Sequence, residues 1–381
     1  MDYAIMSNAF KQLENFCIPE ISDTVNFWMI RSKGGYFYHE YIKEEFIALG
    51  WNFIDKSTAI NSQMIDILKE GIRDRYGDKR PMYAINKCNK FIGGMKEGDY
   101  VIIPDMGSTK VAICIVGEYY EREIDYKKEI EIIHKIDNRE FEVNQIECPY
   151  KKRRKIQVLL EVSTKRIGHN ILKALTSYHG LSDMNDYAYD ILNCVYDCYS
   201  YNGDVIFSLN VGKEEPIRPR EVAKLMYGIT SFFGSVVDEE TLATSLNLNS
   251  PGKVVVFLKK GFSSLKKKVL PLVGVYIAIV GGSGFGFEFP GLVGFIKEVQ
   301  TMEIDLEKEK TELDSLRLEN YQKALEVIKD AKDEGIDLDE VLQGLETLES
   351  LNKVLHFEGN QEFALEKNRQ AEVEVVEADE E

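Results

Sequence analysis

Histidine is scarce in this chain, at five of 381 residues, and cysteine is scattered rather than paired. The six cysteines, at 17, 88, 114, 148, 194 and 198, form no CxxC. Cys194 and Cys198 lie one helical turn apart, but no histidine or second cysteine pair follows at zinc spacing. This usage reads as a reduced cytosolic protein with no structural metal. No phosphate loop of Walker type is present, because the glycine-dense run at 281–287, GGSGFGF, has no lysine. No Ser/His/Asp or Cys/His signature stands out. The Asp and Glu-x-Lys pattern of a magnesium-dependent nuclease is approached only at Glu161-Val-Ser-Thr-Lys165, where the spacing is wrong. These absences favour a non-enzyme with no cofactor and no metal. The opening MDYAIMSNAFKQLENF has no basic stretch leading into a long apolar run, so it is not read as a signal peptide.

The net charge of −17 is unevenly placed. Residues 298–381 hold 26 carboxylates against 9 cations, while the first 297 residues carry 38 of each sign. The acidity therefore belongs to the C-terminal part and does not argue against an anionic ligand on the N-terminal part.

Both tryptophans fall within one stretch, Phe27 to Trp51. Trp28 sits in the apolar run Phe27-Trp28-Met29-Ile30 that ends at Arg31. Trp51 follows Gly50 at the end of Phe46-Ile47-Ala48-Leu49. A Gly34-Gly35 turn, a cluster of Tyr36, Phe37, Tyr38 and Tyr41, and a short helix-compatible piece to Glu45 lie between them. The pattern is strand, turn, short helix, strand. Two indoles at strand ends beside a guanidinium would make a flat-walled slot for a planar ring. The plainer alternative is that both tryptophans belong to the core.

Residues 1–24 read as a helical lead-in. Residues 61–76 follow with apolar positions at helical spacing and candidate caps at Ser57-Thr58. A further helix is expected over 81–92, and strands over 100–103 and 110–120. Short strands with helices inserted early suggest a compact mixed barrel.

The order FW-x-I-R, F-I-A-L-G-W, F-x-x-x-M-K-x-G-D-Y-V-I-I-P and V-x-G-x-Y resembles the PUA-like barrel of the EVE type. The closest likeness is to the form at the N-terminus of Mrr-like restriction and antiviral-defence proteins. The likeness spans residues 25–195, with Tyr150 to Val158 in the place of the closing strand and Ile167 to Leu175 as the helix after it. It departs at Ser32-Lys33-Gly34, where the turn is longer, and at Leu159, which replaces a frequent tryptophan. The resemblance implies a reader that holds an extruded, modified base in an aromatic cage. Extrusion costs a few kcal/mol, and stacking returns about 1–3 kcal/mol per base. Carried onto this chain, Trp28 and Trp51 would be the walls, Arg31 an edge or phosphate contact and Asn52 an edge contact, with Tyr36 and Tyr38 as neighbours. The run Lys151, Lys152, Arg153, Arg154 and Lys155 has two readings, as phosphate contacts or as a solvated face.

Residues 196–250 read as a small α+β module with a strand at 204–209 and an amphipathic helix at 221–233. Residues 251–297 hold a lysine cluster and then 19 uncharged residues, 269–287. That length just spans a bilayer core, but the run includes Pro271 and five glycines. Membrane entry and packing in the core of an oligomer both stay open. Residues 298–357 read as two amphipathic helices, hairpin-like or self-associating. The second carries Val341, Leu342, Leu345, Leu348 and Leu351 on one face. Residues 358–381 read as an acidic disordered tail.

The expectation for the whole is an α+β protein: a PUA-like mixed β-barrel with inserted helices, a small α+β middle module, an apolar segment and a helical hairpin or coiled coil. Its expected role is that of a prokaryotic sensor and effector of antiviral-defence type. It would bind a modified base, nucleic acid or nucleotide-like ligand and act through an oligomerising, membrane-active C-terminal half. The expected location is cytoplasmic, with inner-membrane association as a second state. A restriction-endonuclease-like protein acting on modified DNA and a self-assembling scaffold are the alternatives.

Overall fold

The computed structural model describes residues 18–140, 145–176, 180–234, 241–247, 252–259, 329, 333 and 336–358. Thr24 to Val195 make one compact unit, and the described residues on either side of it make a second. The fold is mixed α+β.

The first strand, β1 (Glu20–Ile21), belongs to the second unit. The expected helical lead-in therefore ends in a strand, and residues 1–17 lie outside the described residues.

The first unit is a curled six-stranded sheet with helices inserted between its strands. Its order is β3 (Phe46–Leu49), β6 (Lys152–Ser163), β5 (Lys110–Glu121), β4 (Tyr100–Pro104), β2 (Phe27–Ile30) and β7 (Leu181–Asp183). The β2–β4 pair is parallel and the other pairs are antiparallel. β2 and β4 are buried along their whole length, which is why both read as unbroken apolar runs. The sheet path ends at β3 and β7, so the expected compact barrel is a half-barrel. Two register shifts in the β5–β6 ladder, at Ile113/Cys114 and between Val116 and Tyr119, mark irregularities of the kind that increase local twist.

The inserted helices are α1 (Tyr38–Lys43), α2 (Ile65–Tyr76), α3 (Pro81–Asn89), α4 (Tyr126–Asp137), α5 (His169–Leu175) and α6 (Ala188–Val195). α3 runs on into a single π turn, Lys90–Gly94. Ser57 and Thr58 do not cap α2. Both bond Asp55 instead, and Asn61 Oδ1 accepts from the Gln63 and Met64 amides just ahead of the helix. The turn after Arg31 demands glycine. Gly35 has φ +96°, and a Cβ there would lie 2.2 Å from Met106 N.

The second unit is a sheet in the order β1, β8 (Cys198–Tyr201), β9 (Asp204–Val211), β11 (Gly252–Leu258) and β10 (Leu242–Asn247), with β12 (Phe357–Glu358) also on β9. The 250/251 division drawn from composition falls inside the β10–β11 hairpin, and β11 pairs with β9. Helices α7 (Pro219–Gly234) and α8 (Leu338–Leu355) pack on each other. Val341, Leu342, Leu345, Leu348 and Leu351, the stripe read as a self-association face, are all buried within the unit. The approach is close: a Cβ on Gly344 would lie 2.6 Å from Phe232 N, and one on Gly228 3.0 Å from Leu348 Cγ. Asp337 caps α8 by accepting from the Asp339 and Glu340 amides.

The apolar run 269–287, the helix read over 298–332 apart from residue 329, and the tail beyond 358 lie outside the described residues. No helix among the described residues is long and apolar enough to cross a membrane.

Candidate functional site

Trp51 follows β3 through Gly50 and sits at φ +59°, in the left-handed region. A bulky side chain rarely adopts that conformation, at a cost of about 1–3 kcal/mol. Both sides of its backbone are held by buried charged groups. The Glu129 carboxylate, from α4, accepts from the Trp51 amide at 2.7 Å and the Asn52 amide at 2.8 Å. Lys152 Nζ, from the start of β6, donates to the Trp51 carbonyl at 2.8 Å and the Ile54 carbonyl at 2.7 Å. Hydrogen bonds to charged groups contribute about 1.5–3 kcal/mol each, enough to offset the strain. The indole itself is half-buried at the edge of the core.

Glu129 also accepts from the Tyr76 hydroxyl at 2.8 Å, and that oxygen in turn accepts from the Phe53 amide at 3.1 Å. Burial raises the Glu129 carboxyl above its ordinary range. The two amides, Lys152 and Tyr76 oppose the rise. Burial lowers the Lys152 ammonium below the usual lysine range. Beside this turn the Arg75 guanidinium lies 4.1 Å from the Phe53 ring centroid and 5.3 Å from that of Tyr126.

Asn52 is spent inside the fold. Its Nδ2 donates to the Pro149 carbonyl and its Oδ1 accepts from the Lys151 amide, both at 2.8 Å. It fixes the turn and presents no free edge.

Trp28 is 5% exposed, with its Nε1 donating to Asp99 Oδ2 at 2.8 Å. Asp99 also accepts from the Asn26 and Lys96 amides. Lys90, the first residue of the π turn, holds its Nζ 5.9 Å from the Trp28 ring centroid. Arg31 is half-buried, and its guanidinium donates to the Leu175 carbonyl. Tyr38 is internal, its hydroxyl donating to Glu161 at 2.7 Å beside the Lys110–Glu161 ion pair, so Glu161 is engaged too.

A cavity of about 410 Å³ is lined by Tyr36, Phe37, Glu40, Glu44, Ile146 and Glu147 among others. The volume is in the range of small-molecule sites. Of the residues read as cage members, only Tyr36 lines it, and neither indole does. Glu40 Oε2 accepts from the Cys148 amide at 2.7 Å.

The five-cation run divides sharply. On a strand, alternate side chains leave opposite faces, so five consecutive cations in and beside β6 do not share one surface. Lys152, Arg153 and Arg154 are buried, at 0%, 4% and 5% exposure. Arg153 donates to the Tyr150 and Cys148 carbonyls and covers the Phe46 ring at 4.0 Å. Arg154 donates to the carbonyls of Phe91, Ile92, Met95 and Gly117, tying down the π turn. Lys151 pairs with Asp55 at 2.6 Å, and exposed Lys155 with Glu118 at 2.6 Å. For Lys152, Arg153 and Arg154 the phosphate reading is corrected: these cations are turned inward and bond backbone carbonyls of the fold.

Sequence reasoning missed Glu129, which lies in a mostly polar helix, and Lys90. The signal for Lys90 was present: residues 79–96 hold five cations and no carboxylate.

Among the described residues no group of three or more His, Cys, Asp or Glu side chains is arranged to hold a metal ion. Comparison with curated proteins and with solved structures finds no match. A family model described as a domain of unknown function, DUF8426, matches residues 28–169, the stretch that holds β3 through β6, all of β2 but Phe27, and Trp51 with Glu129 and Lys152 that hold its backbone.

Proposed function

We propose that residues 24–195 read a flat, base-like ligand, a modified nucleobase or nucleotide-like molecule, by stacking it on the face of Trp51. The observation that carries this reading is a half-buried tryptophan in a left-handed conformation, its backbone gripped by Glu129 on one side and Lys152 on the other. A strained, over-determined residue at the rim of a core is a recognised mark of a functional position. Fixing the indole in advance lowers the entropic cost of binding. The half-barrel is compatible with the PUA-like, EVE-type architecture that the motifs resemble, and that finer classification is part of the proposal.

In this reading Trp28 is part of the core, bonded to Asp99, and Asn52 shapes the turn. The wider role follows the resemblance: a sensor of antiviral-defence type whose C-terminal half is the effector, its assembly or membrane entry biased by ligand occupancy. Vesicle leakage caused by the full chain with ligand and not without it supports that coupling. Equal leakage in both conditions removes it.

Calorimetric titration of the full chain with modified and unmodified nucleosides tests the site. Trp51→Ala should lose about five- to 150-fold in affinity, matching about 1–3 kcal/mol of stacking, while Trp51→Phe keeps part of it. Equal affinity in wild type and Trp51→Ala removes the site.

A further inference from the structure

From Lys79 to Lys96 the chain carries Lys79, Arg80, Lys87, Lys90 and Lys96 and no carboxylate, within a protein of net charge −17. Among the described residues, none of these five cations is in an ion pair. Lys151 and Lys155 of the more conspicuous basic run are both neutralised by carboxylates.

The placement is regular. Arg80, the residue just before α3, Tyr83 and Lys87 within it, and Lys90, the first residue of the π turn, succeed one another at steps of three, four and three residues. Ala84, Ile85 and Cys88 of α3, and Phe91 beyond it, are buried in the core. Along this row, in which Tyr83 is half-buried, Lys87 Nζ lies 4.9 Å from the Tyr83 ring centroid, and Lys90 Nζ 5.9 Å from that of Trp28. Arg80 and Lys90 are exposed, and Lys87 is half-buried with its ammonium donating to the Leu181 carbonyl. That bond fixes the ammonium and leaves it further donors. Arg154 holds the π turn that carries Lys90 from within. Burial, and then the nearness of Lys90, lower the Lys87 ammonium from its usual range, and Asp183 opposes this. A row of cations outside any ion pair, with a ring between them, matches the charge and shape of a nucleic-acid strand. An acidic protein surface offers no bases to meet the ring.

We propose that this row along α3 is a nucleic-acid contact surface, with Arg80, Lys87 and Lys90 on backbone phosphates and Tyr83 against the strand between them. Over the ten residues from 80 to 90 a helix rises about 15 Å, room for several phosphates. The choice of nucleic acid rests on the base-reader reading above, and the surface names the polymer contact that Lys152, Arg153 and Arg154 do not supply.

The test is fluorescence anisotropy of the full chain with a labelled twelve-nucleotide oligothymidylate, titrated at several sodium chloride concentrations. Wild type should bind with an affinity that falls steeply with salt. The combined variant Arg80→Ala, Lys87→Ala, Lys90→Ala should lose about 2 from the slope of log K against log salt, about 0.7 per phosphate contact. The charge-preserving set Arg80→Lys, Lys87→Arg, Lys90→Arg should keep the slope, which separates charge from folding. Trp51→Ala should also keep the slope. If no nucleoside binds yet the triple variant still loses slope, the surface stands and the base-reader reading falls. An unchanged slope in the triple variant overturns the proposal. So does a wild type that does not bind the oligonucleotide at low salt, or competition by polyglutamate equal to that of unlabelled oligonucleotide.

Discussion

The Glu129 carboxylate accepts from the Trp51 amide at 2.7 Å, across 78 positions of sequence, and with its second oxygen takes the Asn52 amide at 2.8 Å. This one side chain converts a chain reversal after β3 into a fixed platform. Gly50 is part of the fit, because a Cβ there would lie 2.9 Å from Glu129 Oε1.

Glu129→Ala leaves two amides and the Tyr76 hydroxyl without their acceptor. An orphaned buried donor costs about 1–3 kcal/mol, so a loss of about 3 kcal/mol or more is expected. Urea unfolding followed by indole emission measures it. A loss below about 0.5 kcal/mol would mean that the turn holds itself.

Arg154 and Lys155 are neighbours with opposite fates. Arg154→Ala abandons four carbonyls around the π turn and should cost about 3 kcal/mol or more, whereas Lys155→Ala, at an exposed ion pair, should stay within about 0.5 kcal/mol. Comparable midpoints in a urea series would contradict the inward orientation of Arg154.

Lys152 sets a pH dependence. Its folded value lies below the ordinary one because of burial, while the unfolded amine titrates near about 10.4. Between the two values the unfolded chain holds the extra proton, so this group makes stability rise with pH. Its contribution is complete above about 10.4 and is lost as pH falls through the folded value. Lys152→Met should flatten that rise. The difference in urea midpoint between wild type and variant, followed from neutral pH to about 10, should grow in favour of wild type. A constant difference contradicts the shift.

Gly344→Ala would force a methyl against the backbone of Phe232. Overpacking of this kind costs about 1–3 kcal/mol. Both tryptophans lie in the first unit, so far-ultraviolet circular dichroism should show early loss of the second unit while indole emission keeps its wild-type midpoint. A shift of both signals together would mean that the two units unfold as one.

Much of the fold is legible in the sequence, for physical reasons. Strands buried on both faces, such as Phe27–Ile30 and Tyr100–Pro104, announce themselves as unbroken apolar runs. The stripe of α8 was equally plain, but its partner was not, since only the fold brings Gly228 and Phe232 of α7 against it. The site was less legible. A row of cations reads as a wet surface until the carbonyls that absorb it are known, and those of Phe91, Ile92, Met95 and Gly117 lie far from Arg154 in sequence. Trp28 and Trp51 read as equivalent, yet one is bonded to Asp99 and nearly sealed while the other is held at the rim. That difference depends on two carboxylates distant in sequence: Asp99, whose Gly-Asp turn is legible but whose indole partner is not, and Glu129, which stands in no motif.

The most direct measurement uses the scarcity of indoles. In Trp28→Phe, Trp51 is the sole tryptophan of the chain, and its emission reports on one face alone. Titration with the nucleoside bound best in calorimetry should quench that emission saturably, with a midpoint equal to the calorimetric one, because the base stacks on the ring. Calorimetric binding with Trp51 emission unchanged would place the ligand elsewhere and contradict the account.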